Sequence, residues 1–347
     1  MNNIYDLYFS EIESFLKDEG EPSFRAKQIW EGLYQHRYSS WEEFSSSPKP
    51  LRQKLESHFS ITSLIKVNSV FSTDLQTEKI LFQLKDSNYI ESVLLRKDNR
   101  LTLCISTQSG CPVGCIFCAT GNLGFKRNLS SGEIIEQVIF IMKALEPNEE
   151  KLTNIVLMGM GEPFLNYDNT ISAITKLNDA NSLNIGARRI TISTIGIIDR
   201  IKQFSEKELQ INLSVSLHAP NDLLRQQFVP IAKKYPLREL IAACRSYFDR
   251  TNRRITFEYV MIKGINDSPI LAFELVKLLR GLNCHLNLIP LNLTSHFMGK
   301  PSDTSTIREF GKILLEKGIA TSIRDSQGSD VQAGCGQLAG KIIQKQH

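Results

Sequence analysis

Long apolar runs are missing from this 347-residue chain. None approaches the roughly 18 residues that cross a bilayer as a helix, so no membrane partner is expected. The first residues, Met1-Asn-Asn-Ile-Tyr-Asp6, turn acidic early and lack a basic stretch followed by an apolar core, which argues against a secretory leader. Cysteine is scarce: seven residues, unevenly placed, exclude a disulfide scaffold and point to a reducing, cytoplasmic setting. Charge of one sign is not in excess either, and a formal net charge of +4 does not by itself call for nucleic acid. There is no internal repeat and no low-complexity tract. What remains is a globular composition, 41% hydrophobic and 22% charged, long enough for one large domain or two ordinary ones. Lys126-Arg127, Arg188-Arg189, Lys233-Lys234 and Arg253-Arg254 are short basic doublets, with Arg238, Arg245 and Arg250 near the later ones; they are read either as solvated faces or as parts of an RNA-binding surface.

The few cysteines are concentrated. Cys111-Pro-Val-Gly-Cys115-Ile-Phe-Cys118 sets three thiols at x3 and x2 spacing. Electron-carrying clusters are closed by four thiolates, so three in a tight loop can hold three irons of a [4Fe-4S] cube and leave the fourth open to a ligand. A zinc site that recruits Cys104 is the alternative, although structural zinc usually draws its ligands as separated pairs. Buried free cysteines would not be expected to cluster in this way. The spacing, with Phe117 before the last thiol, resembles the cluster loop of the radical S-adenosylmethionine superfamily. The resemblance implies that S-adenosylmethionine chelates the open iron by its amino-acid end and is cleaved there by one electron to a 5'-deoxyadenosyl radical.

Residues 1–62 read as a helical module: Ile4, Leu7, Tyr8, Ile12, Phe15 and Leu16 recur at helical spacing, as do Ala26, Ile29, Trp30, Leu33 and Tyr34. Ser40 with Glu43 predicts a capping box. From 63 to 97 the period becomes two, and 64–72, 78–84 and 88–96 are predicted strands of a small antiparallel β-extension. There Glu91 shares a mostly apolar face with Tyr89, Val93 and Leu95, either as a strand-edge charge or as an acid with a raised pKa. From 98 to 347, predicted strands at Leu101–Thr107, Asn154–Met158, Arg189–Thr194, Asn212–His218, Ile255–Ile262 and His285–Leu291 alternate with helices, one of them capped by Ser130 and Glu133. This is an α/β pattern of parallel βαβ units. Six units fit the partial (β/α)6 barrel of the radical S-adenosylmethionine superfamily, with chemistry at the C-terminal strand ends.

Met158-Gly-Met-Gly161-Glu162-Pro163 follows one of these strands. Alone it is turn chemistry; after the cysteine loop it resembles the superfamily's Gly-Gly-Glu-Pro element, which receives the ammonium of S-adenosylmethionine. Together with Phe117-Cys-Ala-Thr-Gly121, Arg188-Arg-Ile-Thr-Ile-Ser-Thr194, Ser216-Leu-His-Ala-Pro-Asn-Asp222 and Ala333-Gly-Cys335-Gly-Gln-Leu338, it makes the chain resemble the RlmN/Cfr family of radical S-adenosylmethionine RNA adenosine methyltransferases. Gly161-Glu-Pro-Phe-Leu-Asn-Tyr167 and Asn184-Ile-Gly-Ala-Arg-Arg189 are closer to the RlmN branch. That branch methylates adenine C2 in 23S rRNA and the adenosine 3' of the anticodon in certain tRNAs; the Cfr branch methylates C8. One departure is Leu293, where RlmN-like chains usually carry proline.

The resemblance implies roles residue by residue. Cys111, Cys115 and Cys118 hold the cluster, and Gly161, Glu162, Ser193, Ser216, Leu217, His218 and Asn292 contact S-adenosylmethionine. Cys335 is methylated by a first S-adenosylmethionine, and a second generates the radical that activates its S-methyl group. Glu91 accepts the ring proton, its apolar face raising its pKa, and Cys104 releases the product by forming a Cys104–Cys335 disulfide. An electron donor such as flavodoxin or ferredoxin, an RNA partner and a monomeric state also follow. Without the resemblance, Cys104 is a small core residue, Cys335 a chance cysteine and His218 a satisfied core histidine. The chain could then be a non-catalytic RNA-binding protein with a structural metal centre, or a radical enzyme acting on a small molecule or protein. Cys244 and Cys284 are assigned to packing.

Overall fold

In the computed structural model, which describes residues 2–324 and 327–340, one ten-stranded sheet runs through the molecule. Its strands are β1 (Ile65–Phe71), β2 (Thr77–Gln83), β3 (Tyr89–Lys97), β4 (Arg100–Cys104), β5 (Asn154–Leu157), β6 (Ile190–Thr194), β7 (Asn212–Ser216), β8 (Ile255–Met261), β9 (Cys284–Pro290) and β10 (Ala320–Ile323). Their order across the sheet is their order in the chain. β1 to β4 pair antiparallel, and β4 to β10 pair parallel. Parallel neighbours require a crossover, and each is supplied by a helix: Ser131–Leu145, Tyr167–Asn178, Ile198–Ser205, Leu237–Thr251, Pro269–Leu279 and Thr304–Glu316. β1 and β10 lie at opposite ends of the sheet, so the barrel is open.

The six expected strand–helix units are therefore present, and a seventh parallel strand, β10, follows them. It is not among the expected strands because its four residues, Ala-Thr-Ser-Ile, form a largely exposed edge with no apolar run. The antiparallel strands continue the barrel sheet directly: Lys97 pairs with Arg100 across a two-residue turn in which Asp98 takes φ 53°, the left-handed geometry such hairpins favour. The expected boundary at 97 falls in that turn, and the last stretch of the expected core segment, 341–347, lies outside the described residues.

The Ser130/Glu133 capping box forms, with Ser130 Oγ accepting from Glu133 N at 3.2 Å and Glu133 Oε2 accepting from Ser130 N at 2.9 Å. The one expected at Ser40 does not. Trp41–Glu43 is only a 3-10 turn, and Glu43 Oε1 instead accepts from the amide and hydroxyl of Ser39. The N-terminal module, with helices Phe9–Asp18, Phe24–Tyr34 and Lys49–His58, is fastened to the barrel by two buried ionisable side chains. Glu136 accepts from Ser63 N at 2.7 Å, Leu64 N at 3.1 Å and Asn3 Nδ2 at 2.5 Å; burial pushes its carboxyl up to about 7. Lys176 Nζ donates to the carbonyls of Tyr5 and Asp6 at 2.7 and 2.8 Å. Among the described residues no helix is long and apolar enough to cross a membrane.

Candidate active site

Beyond β4 the chain forms a short antiparallel pair, Gln108–Gly110 with Phe125–Asn128, and the cysteine loop closes between them. Gly110 takes φ +72°, and a Cβ there would lie 1.8 Å from the carbonyl oxygen of Gly124, so only glycine fits. Cys111 N donates to that same oxygen at 3.1 Å, and Ile116 N donates to Phe228 O at 3.0 Å. The loop is thus pinned on both sides, and Cys111, Cys115 and Cys118 line one cavity of about 160 Å³.

Burial pushes the Cys111 thiol up to about 12 and raises Cys115 and Cys118 as well, with the neighbouring thiols adding to the rise at Cys115. Thiols in such surroundings keep their protons until a metal displaces them. Among the described residues no three His, Cys, Asp or Glu side chains are set to share a single ion. Three thiols on one short loop, all lining one cavity, are a donor set that fits an iron–sulfur cluster.

The opposite wall is built from the strand ends. Gly161 has φ +105°, and a Cβ there would meet Gln108 Cβ at 2.6 Å. Gln108 Oε1 in turn accepts from Glu162 N at 2.8 Å. The Glu162 carboxylate accepts from Phe164 N at 3.0 Å and Ile195 N at 2.8 Å. Burial pushes it up to about 7 against the pull of those donors and of Thr194. Such a carboxylate gains from an added cation, which offsets its desolvation.

Ser193 and Ser216, at the ends of β6 and β7, line the same cavity, as does His218. His218 sits in the left-handed region at φ 62°, uncommon for residues other than glycine. Its Nδ1 accepts from Val260 N at 3.2 Å, which places the ring hydrogen on Nε2. Burial, then Arg225, pulls its pKa down to about 3, so the ring is neutral.

Not every expected contact lies on that wall. Leu217 is fully buried behind it, with its amide donating to Glu258 O at 2.9 Å. Asn292 points instead at the segment carrying Cys335, donating from Nδ2 to the Cys335 carbonyl at 3.0 Å. That segment is stapled to the cluster loop, since Gly336 O accepts from Ala119 N at 2.7 Å and Leu338 O from Thr120 Oγ1 at 2.6 Å. Cys335 is exposed, unlike the buried Cys111, and lines the 160 Å³ cavity. It also shares a second cavity, of about 100 Å³, with Cys104, Cys118 and Arg324. Burial pushes Cys104 up to about 12, with Cys335 adding to it.

Glu91 lines a third cavity, of about 220 Å³, with Lys79, Gln332 and Ala339. Its surroundings are not the apolar face expected from β-alternation. Lys79 Nζ stands 3.3 Å away, and Glu91 Oε2 accepts from Ala339 N at 2.7 Å and Gly340 N at 3.1 Å.

Three residues at these cavities escaped the sequence analysis. Arg324 follows the unpredicted β10, and its pKa is raised above the ordinary arginine value, chiefly by the neighbouring Cys335. Lys79 and Glu258 are charges inside apolar strands, a signal that was available. Glu258 Oε1 accepts from Ser214 Oγ at 2.8 Å and Asn287 Nδ2 at 3.2 Å. Cys244 and Cys284 are buried away from these cavities, consistent with packing.

An open parallel barrel with three thiols facing a Gly-Glu-Pro turn at its strand ends is the architecture of a radical S-adenosylmethionine enzyme. Residues 105–275 match the Radical SAM superfamily, and residues 2–61 match the ribosomal RNA large subunit methyltransferase N-terminal domain. The chain is 47% identical over 339 residues to the probable dual-specificity RNA methyltransferase RlmN of Staphylococcus aureus strains JH9 and Newman, covering 98% of this chain and 93% of each relative. It also superposes on a radical SAM methyltransferase from Sphaerobacter thermophilus with a TM-score of 0.96 and 44% identity, covering 98% of this chain and all of that one. The chain belongs to the RlmN family of radical SAM RNA methyltransferases, whose chemistry uses a [4Fe-4S] cluster and S-adenosylmethionine.

Proposed function

We propose that the enzyme methylates C2 of an adenosine in 23S rRNA, and of the adenosine 3' of the anticodon in certain tRNAs, with Cys335 as the methyl carrier. The observation that carries this reading is the position of the Cys335 thiol, on a wall shared with the cluster cysteines on one side and with Cys104 on the other. The dual specificity named for the Staphylococcus relatives supports two RNA substrates.

Adenine C2 is electron-poor and does not displace a methyl group from a sulfonium, so a covalent carrier divides the reaction into feasible steps. Cys111, Cys115 and Cys118 would hold the cluster, and Gly161, Glu162, Ser193, Ser216, Leu217, His218 and Asn292 the S-adenosylmethionine. Bound together, these groups supply removal of a hydrogen atom. Cys335 loses its thiol proton and takes a methyl group from S-adenosylmethionine. Once that methyl has lost a hydrogen atom, its carbon bonds to C2 while remaining on the Cys335 sulfur. Glu91 accepts the proton that leaves C2, and the electron left over on the adduct would return to the cluster held by Cys111, Cys115 and Cys118. Cys104 then attacks the Cys335 sulfur as a thiolate, the carbon–sulfur bond breaks as the disulfide forms, and the released carbon takes up a proton to leave as the new methyl group of the base.

In the same reading, residues 1–62 grip RNA, 63–97 link that module to the catalytic segment 98–347, and a flavodoxin or ferredoxin delivers the electron to a cytoplasmic monomer. The test is anaerobic reconstitution with iron, sulfide, dithionite, S-adenosylmethionine and an rRNA fragment, followed by nucleoside mass spectrometry. 2-Methyladenosine is the expected product. 8-Methyladenosine would move the enzyme to the C8 branch, and no modified adenosine would overturn the proposal.

A further inference from the structure

Lys79 is a buried charge to which the chemistry above gives no task. It lies on β2 with 4% of its side chain exposed. The β2–β3 register sets Lys79 opposite Val93 and Leu81 opposite Glu91. The lysine therefore reaches diagonally across the pair to Glu91 Oε1 at 3.3 Å. Burial drags its pKa below the ordinary lysine value, and Glu91 draws it back.

The two charges also hold the chain on either side of Cys335. Lys79 Nζ donates to the carbonyl of Gln332 at 3.3 Å, three residues before the cysteine. Glu91 Oε2 accepts from the amides of Ala339 and Gly340, four and five residues after it. One carboxylate oxygen thus serves the lysine and the other serves the segment. With the lysine removed, the first oxygen is left buried without its cation, and the carboxylate that holds the two amides loses its other anchor.

We propose that Lys79 is a positioning residue which, paired with Glu91, clamps both ends of segment 332–340 and so fixes the Cys335 thiol between the cluster loop and Cys104. The proposal rests on the reading of Cys335 as methyl carrier for its purpose, but not for its test. Cluster-loaded Lys79→Met and Lys79→Arg enzymes are compared with the parent. The readouts are the rate of Cys335 alkylation by iodoacetamide, located by peptide mass spectrometry, and hydrogen exchange of the amides of 332–340.

The Met variant is expected to alkylate Cys335 about tenfold faster and to exchange the Ala339 and Gly340 amides faster, as loss of hydrogen bonds at a local clamp requires. Arg is expected to restore both. Removing a nearby cation would by itself slow thiol alkylation, so faster reaction reports release of the segment. If the Met variant does not fold, Lys79→Met combined with Glu91→Leu replaces the ion pair with apolar groups and is expected to free the segment equally. Unchanged alkylation and exchange in the folded variants would overturn the clamp. Methyl transfer that survives Cys335→Ala would instead overturn the carrier reading, leaving both readouts of the clamp intact.

Discussion

The side-chain amide of Asn292 donates to the backbone carbonyl of Cys335 at 3.0 Å, from two residues beyond the end of β9. Gly334 permits the approach, because a Cβ there would come within 2.8 Å of Asn292 Nδ2. A residue expected at the cofactor therefore also sets where the thiol-bearing turn sits. Asn292→Ala is expected to slow methyl loading of Cys335 by about three- to tenfold, the worth of one such bond, with cluster content unchanged. The mass of the intact protein after incubation with S-adenosylmethionine follows it.

The two thiols that share the 100 Å³ cavity should fail in different ways. Cys335→Ala is expected to abolish RNA methylation while leaving the cluster's absorbance and cofactor binding in place. Cys104→Ala is expected to load the methyl group, react with RNA and stall, so that RNA stays covalently bound to Cys335 on a denaturing gel. Free RNA in that lane together with normal turnover would refute the role given to Cys104.

Gly161 combines a φ of +105° with a Cβ position 2.6 Å from Gln108. Gly161→Ala must therefore distort the turn that presents Glu162. S-Adenosylmethionine affinity, read by equilibrium dialysis, is expected to fall more than about tenfold with the circular dichroism spectrum retained.

Glu136 gives the N-terminal attachment a pH dependence. Its carboxyl is pushed by burial from 4.5 to about 7, so between those values the folded chain binds more protons than the unfolded one. The stability this group contributes is complete below the ordinary carboxyl pKa and is lost as pH rises through about 7. Urea unfolding at about pH 5 and about pH 8 should show a loss on the order of 3 kcal/mol attributable to this group. The Glu136→Gln variant should lack it. Equal slopes in parent and variant would contradict the assignment.

Much of this arrangement was legible in the sequence because it is local. The six barrel strands and their helices announce themselves by apolar runs and caps, and the cysteine loop and Gly161-Glu162 turn lie within single short segments. β10 was illegible because an exposed edge of Ala-Thr-Ser-Ile has no pattern to read. Glu91 shares its face of β3 with Val93, whose register partner is Cys104. Its partners were not legible, because Lys79 arrives through strand register and Ala339 and Gly340 from the far end of the chain. Likewise, only the resemblance to a family, and no spacing, brought Cys104 and Cys335 into one site.

The most direct measurement follows one methyl group. Cys335 is loaded from S-adenosylmethionine bearing a deuterated methyl, excess is removed, and a single anaerobic turnover is run on RNA with unlabelled S-adenosylmethionine and reductant. Deuterium in the adenosine of that first turnover is the expected result. An unlabelled methyl group on RNA, with the deuterium still on the protein, would contradict transfer through Cys335.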